Sequence, residues 1–121
     1  MAGERILVVD DSPTERSIIV SVLAGKGYKI TTAVDGEEAL EKAHLEHPDL
    51  ILLDVLLPQK NGFQVCRQLK TAPETQDIKI ILVTSKTQAS DRFWGLKQGA
   101  DDYIAKPIPD TALLTAVARH F

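Results

Sequence analysis

Residues 49–62 read DLILLDVLLPQKNG. Four apolar residues, Leu50-Ile51-Leu52-Leu53, run unbroken into a carboxylate, Asp54, and the stretch closes on the turn dipeptide Asn61-Gly62. A short, unbroken apolar run is the pattern of a strand buried on both faces, as in a parallel sheet covered by helices. A charge at the C-terminal end of such a strand lies at the sheet edge where open α/β folds bind ligands. Taken alone, Asp54 fits a strand terminator or a helix cap equally well. The segments on either side decide between these readings.

Working outward, Arg5–Val9 is a first buried strand that ends in Asp10-Asp11. Ser12 then caps a helix with Glu15 as its capping-box partner, and Pro13 suits the first helical position. Ile18, Ile19, Val22 and Leu23 form that helix's apolar stripe, and Gly25-Lys26-Gly27 ends it. Tyr28–Ala33 is a second strand, more polar and so nearer an edge. Asp35 with Glu38 caps a second helix, which turns Ala39, Leu40 and Ala43 inward and stops before Pro48. After the Asp54 strand, Asn61 caps a third helix with Phe63, Cys66 and Leu69 on one face. Thr71–Asp77 is a polar loop. Ile78–Val83 is a fourth strand running into Thr84-Ser85. Ala89, Phe93, Leu96 and Ala100 mark the inward stripe of a fourth helix. Asp102–Ala105 is a short fifth strand followed by Lys106-Pro107, and Leu113, Leu114, Val117 and Phe121 mark a fifth helix. Strands alternating with helices imply an α/β fold, a doubly wound parallel sheet with right-handed crossovers. Residues 1–121 form one such unit, with no repeat or linker. Burying roughly ten aliphatic side chains per sheet face, at ~1.5–3 kcal/mol each, outweighs most local propensity.

Composition narrows the function. The 121 residues are 44% hydrophobic and 26% charged, with a net charge of −3, and the pI is about 5.5. That balance argues against a nucleic-acid or anionic-membrane binder. No apolar run approaches the ~20 residues needed to span a bilayer, and residues 1–5 carry no signal-peptide core. Cys66 is the only cysteine, so no intrachain disulfide can form and a reducing cytoplasm is expected. At helical spacing from Phe63 and Leu69, it reads as a core thiol rather than a nucleophile. His44 and His47 lack a third ligand and read as surface residues, and His120 lies near a helix C-terminus, where a cation is mildly favoured.

All strand C-termini of a parallel sheet lie on one side. Asp10, Asp11, Asp54, Thr84 and Lys106 each end a strand or follow one closely, so four strand ends deliver three carboxylates, a hydroxyl and an amine to one rim. Three carboxylates about 5 Å apart repel one another by roughly 3 kcal/mol per pair at an effective dielectric near 20. Such a cluster takes up protons or binds a cation. Its ligands are all oxygens, which selects a hard ion, Mg²⁺ or Mn²⁺, over Zn²⁺. Magnesium usually shares its site with a phosphoryl oxygen. Lys106 can hold Asp54 and then neutralise an incoming phosphoryl group, and Thr84 can donate to one of its oxygens. This is a phosphoryl-transfer site in which a carboxylate nucleophile forms an acyl phosphate.

On VVDDSPTE at residues 8–15, LLDVLLPQKNG at 52–62, VTSK at 83–86 and DDYIAKPI at 101–108, the chain resembles the CheY-like response regulator receiver domain of two-component systems, in its stand-alone form. The resemblance implies a flavodoxin-like (βα)5 fold of strand order 2-1-3-4-5. It implies Asp54 as phosphoacceptor, with Asp10, Asp11, Asp54 and the Leu56 backbone carbonyl as Mg²⁺ ligands. It further implies Thr84 as switch hydroxyl, Lys106 as the site lysine, a cis Lys106–Pro107 peptide, and Tyr103 as an aromatic switch that turns inward as Thr84 moves. The surface of helix four, strand five and helix five then changes, and partners read it. The implied phosphodonor is a histidine kinase or phosphotransfer domain, and the implied protein is a cytoplasmic monomer that catalyses only its own phosphorylation and dephosphorylation. Leu56 and Lys86 depart from the best-known chemotaxis receiver, and their side chains are expected to flank the attacking-water path and set the dephosphorylation rate. Phe93-Trp94-Gly95, Gln98-Gly99-Ala100 and DDSPTE look most like receivers of type IV pilus systems, which control twitching motility and phototaxis. Trp94, beside the inward stripe, is either an output-surface contact or a flank of the core.

Other functions fit less well. A phosphatase of the haloacid-dehalogenase class wants Asp-x-Asp after the first strand, whereas Asp10 and Asp11 are adjacent, and it needs a cap domain. A flavin carrier would offer hydroxyls and amides to a phosphate where this chain has two aspartates. No G-x-x-x-x-G-K-[ST] is present for a nucleotide. The alternatives kept are a receiver that only drains phosphate from a pathway and a receiver-like module that only binds partners.

Overall fold

The computed structural model describes residues 3–85 and 88–121. Along the chain run β1 (Arg5–Val9), α1 (Pro13–Ala24), β2 (Lys29–Ala33), α2 (Gly36–Glu46), β3 (Leu50–Leu53), α3 (Gly62–Thr71), β4 (Lys79–Thr84), α4 (Ala89–Lys97), β5 (Asp102–Ala105) and α5 (Asp110–Arg119). The strands pair in the order β2-β1-β3-β4-β5, and every pair is parallel. This is the flavodoxin-like arrangement the sequence pointed to, with the polar β2 at an edge.

The alternation of side chains along each strand divides the core in two. Leu7, Val9, Ile51, Leu53, Ile80 and Leu82 face one side, where Ala39 and Ala43 of α2 and Val65, Cys66 and Leu69 of α3 cover them. Ile6, Val8, Leu50, Leu52, Ile81 and Val83 face the other, under Leu23 of α1 and Leu113 and Val117 of α5. β3 is buried at every residue, which explains why its sequence is apolar without alternation. Burial pushes the Cys66 thiol up to about 12, consistent with an inert core residue.

The N-caps of α1, α2 and α3 follow the sequence, but neither glutamate of the expected pairs closes its box, and at α2 Glu38 Oε1 accepts from the Val34 N–H at 2.8 Å. Asp35 accepts from the Glu38 N–H at 2.8 Å, and Asn61 and Gln64 form a full capping box. At α1, Ser12 Oγ accepts from the Glu15 N–H at 3.3 Å. The reciprocal half of the expected box is replaced, because the Ser12 N–H donates to Asp10 Oδ1 at 2.9 Å. The Glu15 carboxylate is thereby released from capping.

Three apolar assignments are corrected. Ile18 is 56% exposed, because α1 meets the sheet through Leu23 and turns Ile18 toward a surface cleft. Phe121 lies beyond the end of α5 and packs on Tyr28, ring centroids 5.5 Å apart. In α4 the expected stripe is turned outward: Phe93 is 62% and Leu96 42% exposed, Ala89 is exposed, and Ala100 is buried but past the helix end. Gly95 is the helix's buried residue. A Cβ there would stand 2.8 Å from Leu82 Cδ1 and 2.9 Å from Tyr103 Cδ2. The helix therefore approaches the sheet through its glycine, and the large side chains go to the opposite face.

The start of β5 is pinned by charge. Asp101 Oδ2 accepts from the Ile80 N–H at 2.8 Å and pairs with Lys70 at 3.0 Å. Burial alone would raise the Asp101 carboxyl, but the Ile80 N–H and the Lys70 ammonium outweigh it and hold it below its ordinary value. A carboxyl lowered in the folded state contributes stability above its unfolded value, near ~4, and loses it as pH falls through the lowered value. Asp101→Asn is expected to lower unfolding stability by about 1–3 kcal/mol at neutral pH. Urea titrations across the acid range should show the wild type and variant converging as the wild-type carboxyl protonates.

Candidate functional site

Asp10, Asp54 and Lys106 each occupy the last rung of a strand ladder. The Asp10 N–H donates to Ala33 O at 3.1 Å, the Asp54 N–H to Val9 O at 3.0 Å, and the Lys106 N–H to Thr84 O at 2.8 Å. Backbone pairing thus aligns three chain segments at the C-terminal edge of the sheet before any side chain is considered. Oxygens of Asp10, Asp11 and Asp54 all lie within 4.8 Å of one another. Asp10 and Asp54 are buried and Asp11 is exposed, so the cluster opens to solvent on one side. An all-oxygen, triply acidic donor set of this size fits Mg²⁺ or Mn²⁺.

Both oxygens of Asp54 are engaged. Oδ1 accepts from the Leu56 N–H at 3.1 Å, and Oδ2 accepts from Lys106 Nζ at 3.2 Å. Burial raises the Asp54 carboxyl above its ordinary value, and the Leu56 N–H and Lys106 only partly oppose this. Lys106 Nζ also reaches Asp10 Oδ2 at 2.9 Å and Glu15 Oε1 at 2.6 Å. Burial pulls the Lys106 ammonium down, but the hydrogen bonds to Glu15 and Asp10 and the charge of Asp54 more than reverse it, so it stays protonated. The Arg16 guanidinium donates to Asp10 O at 2.8 Å and ties α1 to the loop that carries the acids.

The remaining predicted residues fall as follows. Thr84 ends β4 and is fully buried. Tyr103 is 4% exposed, its ring against Gly95 of α4, and its carbonyl accepts from Arg92 Nη1 at 2.6 Å. The aromatic side chain is therefore already inward in this structure. The Lys106–Pro107 peptide is cis, as the resemblance implied. Leu56 is 52% exposed and stands at the mouth of the site. Lys86 lies outside the described residues. Trp94 is 54% exposed and belongs to the surface of α4. His44 and His47 are exposed, and His47 pairs with Asp77 at 3.2 Å.

Two features were missed in the sequence. A cleft of about 700 Å³ runs from Asp54 and Lys106 along α1 to α5, with Ile18, Ile19, Val22, Pro107, Ile108 and Leu113 as its apolar wall. Glu15 stands at its acidic end. Its place in the first turn of α1, directly after the Asp10-Asp11 pair, was the signal that could have found it.

Gly62 explains the Asn61-Gly62 dipeptide. A Cβ at this position would lie 2.3 Å from Asp54 O and 2.8 Å from Val55 Cα, so α3 can start here only on a glycine. Gly62→Ala is expected to lower unfolding stability by about 2–4 kcal/mol, read from urea midpoints. Asp54→Asn should do the opposite in chelator, because it removes one of three crowded carboxylates while Lys106 keeps Asp10 and Glu15. A higher melting temperature than the wild type at neutral pH is the expected result of differential scanning calorimetry.

Comparison with known proteins agrees with this geometry. The family model for the response regulator receiver domain matches residues 6–118. Protein PilH of Pseudomonas aeruginosa is 42% identical over 113 residues, covering 93% of each chain. Other curated relatives are longer, and this chain spans 25% to 43% of their length. Among solved structures, the chemotaxis protein CheY4 of Vibrio cholerae superposes with a TM-score of 0.93 at 31% identity, over 99% of this chain and 100% of that one. The receiver domain of the sensor histidine kinase PA1611 of P. aeruginosa, with a magnesium ion coordinated in its active site cleft, gives 0.90 at 32% identity over 98% and 97%.

Proposed function

The chain belongs to the response regulator receiver family, and we propose that it accepts a phosphoryl group on Asp54 from a histidine kinase or phosphotransfer domain. One observation carries the reading: a nucleophilic carboxylate, a cluster of oxygen ligands for a hard cation, a lysine ammonium and a buried hydroxyl converge on one rim. A carboxylate oxygen of Asp54 attacks phosphorus, the new O–P bond forms as the donor's N–P bond breaks, and the histidine nitrogen recovers a proton. Attack of water on the acyl phosphate returns inorganic phosphate and the free carboxylate. Both steps act on the protein's own side chain, so the chain is not an enzyme toward a separate substrate.

Asp10, Asp11 and Asp54, with the Leu56 carbonyl, would hold Mg²⁺ or Mn²⁺, which supplies positive charge for the phosphoryl oxygens. The rest is done by the chain. Lys106 neutralises a phosphoryl oxygen, and its bond to Asp54 holds the nucleophile in the meantime. Thr84 supplies a hydroxyl from the end of β4. The Leu56 N–H orients Asp54, while the exposed Leu56 side chain at the mouth is placed to influence the dephosphorylation rate.

The signal leaves through protein contacts. Thr84 and Tyr103 lie on the paired strands β4 and β5, and Tyr103 packs on Gly95. Movement of Thr84 toward a phosphoryl group is thereby linked to α4 and to the α4–β5–α5 face. Exposure of Phe93, Trp94 and Leu96 supports that face as a partner surface. The reading includes a cytoplasmic, monomeric receiver in motility or taxis control, and the likeness to PilH over 93% of each chain is what favours the motility part of it.

The test is intact-mass spectrometry after incubation with acetyl phosphate and Mg²⁺. A single phosphoryl adduct is expected, lost in chelator and absent from Asp54→Asn. A wild type that binds Mg²⁺ but takes no adduct from acetyl phosphate or a phosphorylated histidine donor would leave a module that only binds partners.

A further inference from the structure

Lys106 has three N–H donors, and all three are committed. They go to Asp10 Oδ2 at 2.9 Å, Asp54 Oδ2 at 3.2 Å and Glu15 Oε1 at 2.6 Å. The shortest contact is to the one carboxylate outside the metal-ligand cluster. A phosphoryl oxygen arriving at Asp54 must take over one of these donors. Asp10 and Asp54 are buried and fixed at the rim, whereas the Glu15 side chain is 48% exposed and can turn into water at small cost. Glu15 is also free of other duty, because Asp10 has taken the Ser12 N–H that a capping-box glutamate would bind. Its backbone stays anchored on the first turn of α1 through the Ser12 cap. Together with Asp11, Asp54 and Lys106, it lines the acidic end of the cleft.

We propose that Glu15 is a positioning residue for phosphoryl transfer: it holds the Lys106 ammonium in the unphosphorylated protein and competes with the incoming phosphoryl oxygens for it. This rests on the receiver reading above. The consequence is asymmetric. Phosphorylation brings a dianion from solution past the Glu15 charge and draws Lys106 away from it, so both effects slow the step. Hydrolysis starts with the phosphoryl group already on Lys106, and the charge at the site changes little as water attacks.

The experiment follows adduct formation and decay by intact mass at saturating Mg²⁺, for the wild type, Glu15→Gln and Glu15→Asp. Glu15→Gln keeps the shape and removes the charge. It should accelerate phosphorylation by acetyl phosphate about fivefold at low ionic strength, the order expected for one unit charge near a dianion in a half-solvated site. The gain should shrink with added salt and be smaller with phosphoramidate, a less negatively charged donor, and the rate of adduct decay should stay unchanged. Glu15→Asp retains the charge and should stay close to the wild type. Equal phosphorylation rates in the wild type and Glu15→Gln would overturn this inference alone, as would equal changes in formation and decay, which indicate a general disturbance of the site. A wild type that takes no phosphoryl group from any donor would overturn the receiver reading and this inference with it.

Discussion

Parallel pairing of five strands is the constraint on which the rest depends. It sends every strand's C-terminal end to the same edge. The hydrogen-bond ladder continues one residue past β1, β3 and β5 to place Asp10 beside Asp54, and Lys106 beside Thr84, at that edge. The driving force is the burial of β1, β3 and β4 on both faces, with side chains such as Ile6, Leu7, Leu52 and Ile81 essentially inaccessible to water. Apolar burial is non-directional, so the register has to come from backbone bonds and from the two-residue period of the strands. A one-residue slip of β3 would exchange Leu50 and Leu52 with Ile51 and Leu53 between the two cores and carry Asp54 out of line with Asp10.

What the fold gathers, electrostatics would disperse. Four carboxylates, those of Asp10, Asp11, Asp54 and Glu15, face one ammonium among the described residues, that of Lys106. Burial makes the charge on Asp54 costly, which shows as its raised protonation tendency. Lys106 stays charged because several acids surround it. Such a rim is held together by the hydrophobic layers beneath it and not by its own interactions. Its unbalanced negative charge is what suits it to a divalent cation and then to a phosphoryl group, since each arrival relieves repulsion left by the previous state.

Most of the architecture was legible in the sequence. The apolar runs ending in Asp10, Asp54 and Thr84 marked the buried strands, and Ser12, Asp35 and Asn61 marked helix starts that the structure confirms to the residue. The site residues were legible because a parallel sheet converts "end of strand" into "same rim" without any knowledge of side-chain contacts. Other features depend on such contacts. Whether Glu15 closes a capping box or reaches Lys106 depends on Asp10 taking the Ser12 N–H first, and no spacing rule encodes that competition. Gly95 was invisible because a stripe analysis counts apolar side chains, whereas α4 docks where a side chain is missing.

The misassigned positions share a physical character. Ile18 on α1 and Phe93 and Leu96 on α4 are large apolar residues that the helical period assigned to the core and the fold leaves on the surface. Sequences that obey local rules elsewhere tend to break them where another requirement acts. Ile18 borders the cleft that leads to Asp54, and Phe93, Trp94 and Leu96 lie on the helix that covers Tyr103. Of these three, Ile18 thus falls beside the acidic rim, and Phe93 and Leu96 fall on the face of α4 turned away from Tyr103. Neither surface contributes to holding the sheet together, since Leu23 and Gly95 already dock their helices. Their apolar side chains stay at the surface with no part in either core.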